Sequence, residues 1–354
     1  MISNSKYFKR SATLPVDKFF EDVLYNKKYG YYCNEIPFGR NGDYITSPEI
    51  SFLFSEMVAI WIISTWEVLG KPKNFNLIEL GPGNGKLINY LTNIFKNFPQ
   101  FNKSTSIFLY EKSNLLKKKQ KKILKTKKIK WVTNFSKINK GPVIFIGNEF
   151  FDAIPIKQFI KKKKIYFEKN YFLNKSKFIK ELLKKIPKKK TIQIDKYRTL
   201  KNLDFIEYPY MGFKELEKII EKIKKNSGGI LLIDYGYVQS KNENTLQSVK
   251  NHKRNDLLSN LGKADITSLV NFKLLDEFFS TKNLKVKNIV SQSVFLKKLG
   301  IVERANNISK KMQFTQKADL YLRMKRLLDP QTMGNLFKVI FAYKAKKNNF
   351  VGFD

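Results

Sequence analysis

Leu77-Ile78-Glu79-Leu80-Gly81-Pro82-Gly83-Asn84-Gly85-Lys86-Leu87 decides the fold. An apolar run ends in an acid, glycines follow at alternate positions, and a helical pattern begins at once. That order predicts strand, tight turn and helix, the first crossover of an open α/β sheet. Gly81 can take backbone angles that a Cβ would forbid. Gly83 lets a ligand approach the main chain, and Gly85 lets the helix start pack on the strand. The N–H groups and dipole at that helix start favour an anionic group such as a carboxylate. The spacing E-x-G-P-G-x-G, which includes Pro82, departs from the G-x-G-x-x-G of a dinucleotide turn. A Gly-rich surface turn without a ligand is the bland alternative, and the flanking strand and helix argue against it.

Outward from that turn the chain alternates between strand and helix. Pro15 to Tyr25 has helical spacing, and Ile36–Asp43 is rich in turn residues. Ser47 has the character of an N-cap, with Pro48 and Glu49 in the first turn of a helix that runs to Gly70. Strands are expected at Phe75–Leu80, Ser106–Tyr110, Ile129–Val132, Val143–Gly147 and Gly229–Tyr235. The region from Ile156 to Arg198 reads as a β-hairpin (Gln158–Ile160 with Ile165–Phe172) and a Lys-rich helix near Phe178–Leu183. A loop over Gly236–Ala264, a helix at Ile266–Phe279 and strands at Lys285–Ser291 and Leu336–Tyr343 complete the pattern. Such alternation argues for a mostly parallel sheet covered on both faces.

Composition narrows the function classes. The 354 residues carry 68 Lys plus Arg against 30 Asp plus Glu, a net charge of +38. Charge of that size points to nucleic acid or an anionic surface. Most of it is Lys, abundant together with Asn, Ile and Phe as in an AT-rich genome. The dense runs at Lys117–Lys130 and Lys161–Lys190 therefore read as solvated faces, and no RNA-binding motif accompanies them. Cys33 is the only cysteine, which excludes an intramolecular disulfide or a Cys-based zinc site. The start, Met1 to Leu14, has no apolar core and is not a secretory signal. No apolar run reaches the roughly 18 residues of a membrane span. With His252 the only histidine, neither a Ser/His/Asp triad nor a His-rich metal cluster can be assembled.

Seven separated segments, in order along nearly the whole chain, resemble the MidA-type S-adenosylmethionine (SAM)-dependent methyltransferases. They are Gly42-Asp43-Tyr44-Ile45-Thr46-Ser47-Pro48-Glu49-Ile50, the glycine turn Glu79–Gly85, and Asn148-Glu149-Phe150-Phe151-Asp152-Ala153-Ile154-Pro155. The others are Ile233–Gly236, Asn244–Gln247, Gly262–Thr267 and Met333–Val339. The match is weakest in Lys161–Lys190, and His252-Lys253-Arg254 departs from the His-(Arg/Lys)-Tyr expected there.

The resemblance implies a class I SAM methyltransferase fold, a Rossmann-like seven-stranded sheet ending in an antiparallel hairpin. On that basis residues 1–72 are a helical lead and active-site cover, and 73–155 the SAM-binding half. Residues 156–205 are an inserted α+β segment on the substrate side, and 206–354 the second half of the sheet. It also implies SAM as cofactor and a protein substrate. The family's mitochondrial branch methylates a protein arginine and is linked to assembly of respiratory complex I (NADH dehydrogenase). The compartment would be the cytoplasm in a bacterium or the mitochondrial matrix in a eukaryote. A homodimer is admitted; a membrane span and specific nucleic-acid binding are not expected. Two other readings stand beside this one: a non-catalytic assembly factor that keeps the fold, and an RNA methyltransferase suggested only by charge.

Methyl transfer from a sulfonium needs an in-line approach and a dry, shaped site more than acid/base machinery. An arginine acceptor adds a demand, because its guanidinium stays protonated and must be oriented by carboxylates. Glu149 and Asp152, beyond the end of a central strand, are the expected catalytic acids. Their alternative is a turn in which Asn148 and Asp152 act as caps and Glu149 faces solvent. Glu79, Gly81, Pro82, Gly83, Gly85, Glu111, Asn148 and Asp43 are expected to hold SAM, with Glu111, at the end of the second strand, on the ribose hydroxyls. Glu49, Asp234 and His252 are expected on the substrate side, each with a capping or structural role as the alternative.

Overall fold

The structure is a computed structural model and describes residues 4–9, 11–35, 37, 39, 42–124, 128–138 and 140–353. Ile36, Phe38, Arg40 and Asn41 of the expected turn lie outside the described residues. So do Met1 to Ser3 and Arg10 of the chain start, and Lys125 and Lys127 of the first basic run.

The chain forms two units, each built from three segments. One comprises Ile45–Phe151, Glu217–Gly236 and Phe279–Asp354; the other comprises Met1–Tyr44, Asp152–Leu216 and Tyr237–Phe278. We call them the glycine-turn unit and the hairpin unit. This division cuts the sequence differently from the one expected at residues 72, 155 and 205. Core packing is the reason: Phe52–Val68 belongs to the core around the large sheet, whereas Val16–Tyr25 belongs to a separate core.

In the glycine-turn unit the strands run in the order Ile129–Val132, Thr105–Tyr110, Phe75–Leu80, Val143–Asn148, Gly228–Tyr237, Phe337–Lys344, Lys285–Val286. The first five are parallel. Phe337–Lys344 runs antiparallel to Gly228–Tyr237, and Lys285–Val286 and Val290–Ser291 pair antiparallel with it. This is the class I methyltransferase sheet with its terminal hairpin, as the resemblance implied. All six residues of Phe75–Leu80 are buried, as a central parallel strand requires. Phe52–Val68 buries Leu53, Phe54, Met57, Val58, Trp61, Ile62 and Trp66 in this core. Its N-cap is Ser51, whose Oγ accepts the Leu53 N–H. Ser47 is not the cap of the preceding short helix Ser47–Ile50. Thr46 is, and its N–H donates to Glu49 Oε2 at 3.2 Å.

The hairpin unit has its own sheet, in which Ile165–Leu173 is central. Lys157–Lys162, Ile179–Lys185 and Thr13–Pro15 all pair antiparallel with it, and Phe205–Tyr208 pairs with Lys157–Lys162. The expected hairpin is therefore present, but the Lys-rich helix near Phe178–Leu183 is instead a strand. A seven-residue ladder against Phe167–Leu173 overrides the helical preference of its Lys, Glu and Leu residues. The lead is likewise not wholly helical, because Thr13–Pro15 joins this sheet. The helix expected from Ile266 begins at Phe272, since Asp265–Thr267 pairs with Gln247–Lys250. Val16, Phe19, Phe20, Tyr31, Tyr171 and Ile266 form this unit's core. No helix among the described residues is long and apolar enough to cross a membrane.

Trp61 tests the larger core. It is fully buried, with its ring edge-on to Phe341 and tilted against Phe295. Its Nε1–H has no hydrogen-bond partner among the described residues. Trp61→Ala is expected to cost roughly 3–5 kcal/mol in urea unfolding. Trp61→Phe should cost clearly less, because the smaller ring also removes the unsatisfied donor. Equal losses would contradict this packing.

Candidate active site

The glycine turn is held in a left-handed path by its own residues and by two neighbouring segments. Gly81, Gly83 and Gly85 have φ of +57°, +53° and +80°. A Cβ on Gly81 would stand 2.9 Å from Phe150 Cδ2, so the position excludes other residues twice over. Asn84 Oδ1 accepts the Lys86 N–H at 3.0 Å, and Asn84 Nδ2 donates to Glu49 Oε1 at 2.7 Å. On the other side Gln120 Nε2 donates to Gly83 O at 2.8 Å and to Glu111 Oε2 at 3.1 Å. Gln120 Oε1 accepts from Trp131 Nε1 at 2.8 Å. Sequence reasoning missed Gln120; its one signal is a lone uncharged polar residue inside a lysine run.

Two acids flank this turn on adjacent strands. Glu79 is 5% exposed, and its Oε2 has no hydrogen-bond partner among the described residues. Burial, and then the charge of Glu111, push its carboxyl up to about 8. Glu111 is also raised by burial, opposed by hydrogen bonds from the Ser113 N–H at 2.8 Å and from Gln120. An orphaned buried carboxyl oxygen beside the main-chain cradle of the glycine turn fits a cationic ligand, and SAM is one. Glu79 would face its positive charge, Glu111 the ribose hydroxyls, and the Lys86–Phe95 helix start its carboxylate. Pro82 lies within the cradle.

The second turn of this unit follows Val143–Asn148. Glu149 has φ +50°, a left-handed conformation that costs a non-glycine residue about 1–3 kcal/mol. Its N–H donates to Ile233 O at 2.9 Å. Its Oε1 accepts the Ser47 N–H at 2.9 Å and Asn148 Nδ2 at 3.0 Å. Glu149 is therefore fixed in place and not simply solvent-facing. Asp234 stabilises the turn: its Oδ2 accepts the Phe150 and Phe151 N–H groups at 3.1 and 2.8 Å, and its Oδ1 the Tyr235 N–H. The expected substrate residue Asp234 is thus a turn anchor: it lies within Gly228–Tyr237, where its carboxylate meets successive amides of the neighbouring turn. Glu49, also expected on the substrate side, braces Asn84 and caps its own helix.

Asp43, Asp152 and His252 belong to the hairpin unit. The Asp43 carboxylate accepts the Tyr31 hydroxyl and the Asn251 N–H. His252 is an exposed turn residue, φ +60°, whose N–H donates to Asp43 O. Its place between Gln247–Lys250 and Lys253–Asn255 makes it a hairpin turn position, and the Asp43 carboxylate is committed to that same turn. Asp152 is buried, and its carbonyl accepts the Ser268 N–H at 3.0 Å. The same unit holds an acid to which the sequence reading gave no role. Asp265 is buried, accepts the Tyr32 hydroxyl at 2.7 Å, and is pushed up to about 7 by burial.

A family model described as "Putative S-adenosyl-L-methionine-dependent methyltransferase" matches residues 57–290. Among curated proteins, the chain is 29% identical over 373 residues to a Xenopus laevis protein named "Protein arginine methyltransferase NDUFAF7, mitochondrial", covering 95% of this chain and 82% of that one. The Homo sapiens protein of the same name is 29% identical, covering 93% and 80%. A Caenorhabditis elegans homolog is 30% identical, covering 87% and 75%. Among solved structures, a Burkholderia thailandensis protein bound to S-adenosyl-homocysteine superposes with a TM-score of 0.83 at 19% identity, covering 98% of this chain and 92% of that chain. At that identity the likeness shows the fold.

The raised Glu79 carboxyl has a stability signature. Between about 4.5 and about 8 the unfolded state has lost this proton and the folded state has kept it, so stability falls as pH rises through that window. Glu79→Gln should remove that loss. Comparing urea unfolding of the ligand-free protein near pH 5 and pH 8, wild type is expected to lose on the order of 2–4 kcal/mol more than the variant. Parallel behaviour of the two would show that Glu79 ionises freely.

Proposed function

The chain belongs to the S-adenosyl-L-methionine-dependent methyltransferase family, and we propose that it methylates an arginine side chain of a protein. The observation that carries the acceptor is the similarity, along 93–95% of the chain, to relatives named protein arginine methyltransferase. The MidA-type resemblance supports a subunit of respiratory complex I, NADH dehydrogenase, as the acceptor protein. The relatives' names are mitochondrial; a bacterial cytoplasm or a mitochondrial matrix fits this chain in the same way.

When bound, SAM supplies an electrophilic methyl group on a sulfonium. In this reading Glu79 takes up its ionised form against that positive charge, so cofactor binding at neutral pH releases a proton. Glu111, held by Gln120 and the Ser113 N–H, orients the ribose. The Glu149 carboxylate would hold the acceptor guanidinium and accept the proton that it loses on methylation. Its bond from the Ser47 N–H limits its freedom, which lowers the entropy lost in orienting the acceptor.

Glu149→Gln keeps an oxygen for the Ser47 N–H and removes the charge. SAM affinity should change by less than about threefold, and turnover on an arginine substrate should fall by about 100-fold or more. Glu149→Ala removes the brace too and should also weaken SAM binding. Unchanged turnover in Glu149→Gln would overturn the assignment of Glu149. Label transferred from SAM to RNA and not to protein in a lysate would overturn the acceptor.

A further inference from the structure

The run Lys161–Lys190 holds 13 lysines against two acids, Glu168 and Glu181. Both acids are already engaged: Glu168 pairs with Lys157 and Glu181 with Lys169, each at 2.6 Å. Part of this charge, Lys180, Lys184 and Lys185, lies on an edge strand of the hairpin unit. Ile179–Lys185 pairs with Ile165–Leu173 and with no other described strand. Alternation splits its side chains between two faces. Ile179 packs against the core of Phe19, Phe20 and Tyr171, and Glu181 stands opposite Tyr171, so Ile179, Glu181 and Leu183 share the inner face. The outer face carries Lys180, Leu182 and Lys184, with Phe178 extending the same period. Phe178 is 65% and Leu182 38% exposed, and both lysines are exposed. Lys175 and Lys177, also exposed, lie in the turn leading into Phe178.

Lysines alone would be explained as protection of an open edge against pairing with another chain. Phe178 and Leu182 are not, because exposed apolar groups weaken that protection. Aromatic and aliphatic groups alternating with cations, with no free acid among them, are complementary to an anionic lipid interface: headgroups meet the lysines, and the apolar side chains enter the acyl boundary. Nucleic acid is the poorer fit. Leu182 offers no stacking face, and lysines are point charges without the fork that reads phosphate or base edges. We infer that the outer face of Phe178–Lys185 docks the protein peripherally on an anionic phospholipid surface.

The test is co-sedimentation of the full chain with vesicles of phosphatidylcholine alone or mixed with phosphatidylglycerol. Binding is expected only to the anionic vesicles and should fall with salt. Lys175→Glu/Lys177→Glu/Lys180→Glu should reduce partitioning on the order of a hundredfold, at about fivefold or more per lysine. Phe178→Ser/Leu182→Ser, with every charge kept, should reduce it about tenfold. SAM affinity and the thermal midpoint, measured on each variant, establish that it is folded. If folded Phe178→Ser/Leu182→Ser binds the vesicles like wild type, or if only added RNA is bound in a way these variants weaken, the lipid-docking face is overturned.

Discussion

Parallel pairing of the central strands is the constraint on which the site depends. Leu80 lies opposite both Tyr110 and Gly147, and Asn148 lies opposite Ile233. Gly81, Glu111, Glu149 and Asp234 each directly follow one of Leu80, Tyr110, Asn148 and Ile233, so all four lie level on the carboxyl-end side of the sheet. Strand pairing brings them there, and contacts such as the Ser47 N–H to Glu149 then hold the side chains. A register slip of one residue would turn each strand's side chains to the opposite face and scatter the group. The buried apolar runs of these strands prevent that slip, which is how core packing at Phe75–Leu80 becomes chemistry at Gly81.

Charge at this edge is arranged with few full counter-ions. Glu79 and Glu111 are both buried, and the charge of Glu111 makes Glu79 harder to ionise. The fold meets Glu111 with a neutral amide, Gln120, and a backbone N–H, and leaves one oxygen of Glu79 without a donor among the described residues. A lysine in the place of Gln120 would neutralise the pair and weaken its attraction for a cationic ligand. The amide supports the geometry while leaving the electrostatic demand for the ligand to meet.

The parts legible in the sequence were those where backbone geometry restricts residue choice. A glycine turn between an apolar run and a helix has few alternatives, and it led correctly to the sheet. Side-chain roles were less legible, because a carboxylate at a strand end can face a ligand or cap a turn with the same neighbours in sequence. Asp234 proved to hold the amides of Phe150 and Phe151, and Glu49 to hold Asn84. The strand Ile179–Lys185 was hidden for another reason. Its lysines, glutamate and leucines prefer a helix locally, and only a partner strand ending at Leu173 determines otherwise.

The interleaving of the two units sets a timetable for the nascent chain. Phe19 and Phe20 pack with Tyr171 and Ile266, so the first helix to leave the ribosome waits for residues made about 250 positions later. At roughly 5–20 residues per second, that leaves this core incomplete for about 12–50 seconds. The other unit is delayed in the same way, since Trp61 must await Phe295 and Phe341. Neither half can be completed and protected before the other is largely synthesised. Holdase chaperones therefore have long access to the unfinished polypeptide, and a truncated product would expose unpaired core from both units at once.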